Sequence, residues 1–194
     1  MSQMSEELKL MGLEGQKRLD ARIRQLVARG NFLDALTLAN ADDRPGMLRD
    51  WWEKGLLERQ TLQQLFPEAW PMIEAPRRSG IKWWVKAFKA AGFVSDREGM
   101  RPPNAVLTVY RGCFPMFRFG LAWTTNKQRA DWFAHEYSAK RYVYPPDIDP
   151  RWTAPPAVYR AKVAPRHILA MFYEREEEEV VVNPWGLARI ERIG

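Results

Sequence analysis

The chain has 194 residues, 46% of them apolar, and a formal net charge of +6. That length supports one large domain or two small ones around a full core, and the positive balance admits polyanionic partners. A single cysteine, Cys113, excludes an internal disulfide framework and a multi-cysteine zinc site.

The first fifteen residues, MSQMSEELKLMGLEG, are charged and lack an apolar core segment, so they do not read as a signal peptide. No apolar run approaches the ~18 residues of a membrane span. We therefore expect a cytoplasmic protein with no membrane contact. Residues 1–94 read as a helical subdomain. In QKRLDARIRQLVARG, Leu19, Ile23, Leu26 and Val27 recur at helical spacing and Gly30 ends the run. NFLDALTLAN, PGMLRDWWEKGLL and TLQQLF read as short helices, the last two cut by Gly55 and Pro67. IKWWVKAFKAAGF carries the clearest pattern. Ile81, Trp84, Val85 and Phe88 share one face, and Lys82, Lys86 and Lys89 another.

The pattern changes after SDREGMRPPN, residues 95–104, which reads as a polar linker. AVLTVYRG, AVYRAKV and EEVVVNP read as strands. Between the first two, NKQRADWFAHEYSAKR reads as a helix, with Ala130, Phe133, Ala134 and Tyr137 on one face and Thr125 with Gln128 as its capping box. VYPPDIDPRWTAPP reads as an irregular loop. The fold class is therefore α+β, a helical unit over 1–94 followed by a sheet domain over 95–194.

The run EREEEEVVVNP, from Glu174 to Pro184, poses the functional question. Read as a strand, it alternates faces. Val180 and Val182 then point to the core, while Glu177 and Glu179 turn together to the other side. A charge run is usually a solvated face; its neighbours in sequence argue for more.

TVYRG ends in Tyr110-Arg111-Gly112, GLAWTTNKQRADWFA enters a helix, and a Glu-x-Glu precedes EVVV. In that order the three segments resemble the ADP-ribosyltransferase superfamily, Arg–Ser–Glu class, over roughly the last ninety residues. Ala122-Trp123-Thr124 stands where the family has Ser-Thr-Ser. The resemblance implies a split, mixed β-sheet and a mono-ADP-ribosyltransferase. Such an enzyme cleaves NAD, its co-substrate, at the nicotinamide–ribose bond and passes ADP-ribose to a macromolecule, with no metal.

The resemblance also assigns roles. Glu179 stabilises the cation that develops on the ribose. Glu177 orients or deprotonates the acceptor. Arg111 grips the diphosphate or adjoining ribose, and Gly112 lets the backbone approach the ligand. Thr124 positions the ribose or the catalytic glutamate, and Thr125 shares that role or only caps the helix. Trp123, Trp132 and Phe133 are candidates for the nicotinamide pocket, with core packing as the alternative reading. Cys113, His135 and His167 read as structural.

The acceptor is nucleic acid, RNA included, or a protein side chain. The basic helices, with Arg141, Tyr142, Tyr144, Arg151 and Trp152, supply charge and rings for the first. The biological reading is a toxin, defence protein or phage-type effector, partnered by an antitoxin or inhibitor protein. The rival readings are a non-catalytic nucleic-acid-binding or inhibitory protein that keeps the fold, and a helical partner-binding module.

Overall fold

The computed structural model describes residues 2–73, 76–138, 154–173 and 177–194. The helical half comprises α1 (Ser2–Ala28), α2 (Phe32–Leu38), α3 (Arg44–Glu53), α4 (Arg59–Ala69) and α5 (Ile81–Ala91). Glycines end three of these helices from left-handed conformations: Gly30 after α1, Gly55 after α3 and Gly92 after α5. α5 buries Trp84, Val85 and Phe88 and exposes Lys82, Lys86 and Lys89, as its spacing dictates.

Pro67 does not cut its helix as expected. α4 runs through it to Ala69, and a 3-10 turn continues over Trp70–Met72. A proline in the last turn forfeits one backbone bond, and here the Trp70 N–H still reaches the Phe66 carbonyl. The extra turn delivers Trp70 onto the sheet.

Seven strands follow: β1 (Val94–Ser95), β2 (Leu107–Cys113), β3 (Ala122–Thr124), β4 (Ala157–Val163), β5 (Ile168–Phe172), β6 (Glu179–Val182) and β7 (Leu187–Arg192). They form one mixed sheet in the order β1-β5-β6-β3-β2-β4-β7. β1 pairs with β5 in parallel; the ladders from β5 to β7 are antiparallel. Hydrogen bonding runs through all seven strands, where the sequence led us to expect a split sheet. α6 (Lys127–Trp132) and a π-helical turn (Phe133–Tyr137) follow β3. The remainder of the anticipated helix and most of the Pro-rich loop, with Arg141, Tyr142, Tyr144, Arg151 and Trp152, lie outside the described residues, as do Glu174 and Glu176.

β5 and β7 gave no sequence signal. Every residue of β5, ILAMF, is buried, so nothing alternates. The same reason corrects the reading of EVVV. Alternation puts Val181 on the side of the glutamates, away from the expected core, yet Val180, Val181 and Val182 are all fully buried. Ala170, Phe172 and Val181 join Trp70, Trp84 and Phe88 on the helix-facing side. Trp123, Tyr159, Val180 and Val182 form the other side, against which Phe93, Met100 and Phe117 pack. The anticipated 94/95 boundary falls inside β1, and one core joins the helices to the sheet. Among the described residues no helix is long and apolar enough to cross a membrane.

Candidate functional site

β6, β3 and β2 lie side by side, so the three motif segments meet at the centre of the sheet. Thr124 pairs with Glu179, and Tyr110 pairs with Thr124. Residues directly opposite one another share a face. Tyr110, Thr124 and Glu179 therefore all point toward the helices.

Arg111 points the other way. It pairs with Tyr159, on the side of Trp123 and Val180. Its Nε donates to the Phe117 carbonyl at 3.1 Å, and another guanidinium nitrogen donates to the Ala122 carbonyl. The guanidinium also lies against Gly120, where an added Cβ would come 2.6 Å from its Cζ. Arg111 thus staples the loop between β2 and β3. The convergence of Arg111, Thr124 and Glu179 on one cleft, which the motif order implied, does not occur. The reason is the strand period: Tyr110, not Arg111, shares the face of the glutamate.

Trp123 is corrected likewise. It is buried on the Arg111 side, with its indole N–H on the Gly120 carbonyl at 3.0 Å. Gly112 does face the glutamate side, but the backbone that approaches it belongs to α6 and the π-helical turn. Cys113 is buried beside Arg111. Burial pushes its thiol up, against the smaller opposing pull of Arg111.

On the helix-facing side a different group assembles. The buried Thr124 hydroxyl donates to the Glu177 carbonyl at 2.5 Å and accepts from the Asn126 N–H at 3.0 Å. Thr125 does not cap α6. Its hydroxyl donates to Glu178 Oε2 at 2.6 Å, and Asn126 Oδ1 takes the Arg129 N–H instead. Two neighbouring threonines therefore hold the turn that enters β6. In that turn Glu178 adopts φ of 44°, a conformation an L-residue adopts only under constraint.

This turn changes how the two carboxylates are set. Glu177 precedes the strand, so simple alternation does not govern it. It pairs with Arg129 of α6 at 3.2 Å, both groups partly buried. Glu179 reaches the helical half, where Trp70 Nε1 donates to its Oε1 at 2.7 Å. Glu178 is exposed, apart from its Thr125 contact.

Arg129 and Trp70 were not anticipated. Arg129 lies 4.6 Å from the Trp132 ring centroid and 5.4 Å from that of Phe133. Its Nε is buried and has no hydrogen-bond partner among the described residues. Trp132, Phe133 and Tyr137 pack on one another with centroids 5.1–5.5 Å apart, and Trp132 remains 40% exposed. The i, i+3, i+4 spacing of Arg129, Trp132 and Phe133 was the available signal for this patch. Nothing in the sequence pointed to Trp70.

The arrangement offers two carboxylates, one guanidinium, exposed aromatic surface and a strained turn. Such a set can stabilise a developing cation and hold a flat, anionic ligand. Among the described residues no three His, Cys, Asp or Glu side chains are grouped to hold a metal. Comparison with protein-family models, curated proteins and solved structures returns no match.

Proposed function

We propose that the protein is a mono-ADP-ribosyltransferase whose site lies between β6, α6 and the Trp70 turn. The observation that carries this reading is the adjacency of β6, β3 and β2, with Glu179 opposite Thr124 and Glu177 held beside them. Glu179 stabilises positive charge on the ribose as the nicotinamide–ribose bond of NAD breaks. Glu177 serves the acceptor, and Arg129 keeps it oriented.

Arg129 also takes the phosphate-gripping role first given to Arg111, because its guanidinium lies on the glutamate side. Trp132 and Phe133 offer the flat surface suited to nicotinamide. The residues fit NAD in kind: a carboxylate for the ribose, a guanidinium for the diphosphate and rings for the base. The acceptor is a nucleic acid, RNA included, or a protein side chain, and the role is that of a toxin, defence protein or phage-type effector.

One observation favours a second reading, a non-catalytic nucleic-acid-binding protein that keeps the fold. Arg111 is consumed in stapling a loop, while Lys82, Lys86 and Lys89 stand exposed along α5. Incubation with labelled NAD and cell lysate, then RNase, DNase or protease, separates the readings. Transfer of label supports the enzyme, and the nuclease or protease that removes it names the acceptor class. No release of nicotinamide and no label, from a folded protein, rejects it.

A further inference from the structure

Trp70 is 4% exposed and lies on the turn that Pro67 fails to cut off. Its ring stands edge-on to Trp84 at 5.1 Å and 82°, and to Phe88 at 5.1 Å and 76°. Both partners belong to α5 and are almost fully buried. Trp84 is pinned in turn by its own indole N–H, which donates to the Pro76 carbonyl at 2.6 Å. An indole held in this way has one direction for its N–H, and that direction is Glu179 Oε1 at 2.7 Å.

Satisfying a buried donor does not by itself explain the arrangement. Trp84 and Trp123 place their N–H groups on backbone carbonyls, and among the described residues the buried Trp83 Nε1 has no partner. Trp70 is aimed at a carboxylate instead. The bond also crosses from the helical half to the sheet, linking residues 109 positions apart.

We infer that Trp70 is a positioning residue for Glu179, so that the helical half completes the site. The inference rests on the transferase reading. A carboxylate that stabilises a developing cation must be set before the bond breaks, because reorienting it during the reaction adds to the barrier. The rigid indole holds one oxygen in place. It acts through Glu179 and is not proposed to touch the substrate.

The test uses the full-length chain with Trp70→Phe, and a second variant with benzothienylalanine at position 70. That residue keeps the indole's shape but replaces the N–H with sulfur, so it removes the hydrogen bond and keeps the packing. NAD hydrolysis is measured as kcat and KM, alongside thermal unfolding. We expect kcat to fall about 10–100-fold in both variants, with KM for NAD changing less than about threefold. The isostere should melt close to the wild type. A wild-type kcat in the isostere, whatever Trp70→Phe does, overturns the positioning role and leaves the transferase reading standing. A wild-type protein that cleaves no NAD overturns both.

Discussion

Gly112→Ala tests the packing that brings α6 to the glutamates. A Cβ at this position would lie 2.5 Å from the Ala134 nitrogen and 2.9 Å from the Ala130 carbonyl carbon, and closer still to the Ala130 oxygen. All three are backbone atoms, so no side chain can rotate aside. The helix must retreat from β2, thinning its contact with Val158 and Tyr110 and drawing Arg129 away from Glu177. Overpacking typically costs about 1–3 kcal/mol, and contact with rigid backbone belongs at the upper end. At about 2–4 °C per kcal/mol for a chain of this size, the melting temperature should fall roughly 6–12 °C. Circular dichroism melts and urea titrations measure it. Gly46→Ala on α3 is the control. Nothing lies within 4 Å of its added Cβ, and alanine should stabilise that helix by about 0.5–1 kcal/mol. A Gly112→Ala melt within about 2 °C of the wild type, against the shift reckoned above, would refute the close approach.

Glu179→Gln should lower both NAD hydrolysis and transfer by about 10²–10³ with folding intact. Glu177→Gln should depress transfer more than hydrolysis, and Glu178→Gln should change little; equal activity in all three would reduce the run to a solvated turn. Arg111→Met should lower the melting temperature by releasing the loop between β2 and β3. Arg129→Met should mainly raise KM for NAD, and the opposite pattern would return the ligand to the Arg111 side. His167 is held below its ordinary pKa, first by burial and then by Arg166 and Lys89. The folded state thus binds fewer protons, so this contribution is present above about pH 6.5 and lost as pH falls through the lower folded value. Urea midpoints at pH 7.5 and 5 should diverge less in His167→Asn than in the wild type, and equal divergence would exclude His167 as the source.

Elements whose two sides differ were legible in the sequence. α5 was legible because its apolar stripe and its lysines fall on separate faces, and the ends of α1 and α3 because Gly30 and Gly55 take conformations other residues resist. β2, β4 and β6 were legible from their β-branched runs. Which side each motif residue faces, and what covers it, depends on long-range strand pairing and packing. β5 and Val181 are buried on both sides, which removes the alternation a reader depends on. Arg111 and Glu179 fall on opposite sides because the register across β2, β3 and β6 matches Tyr110 with Thr124 and Glu179. A one-residue offset between strands separated in sequence leaves no local trace. The bond from Trp70 to Glu179 was equally hidden, because it joins the helical half to the sheet and no spacing or propensity within either half encodes it.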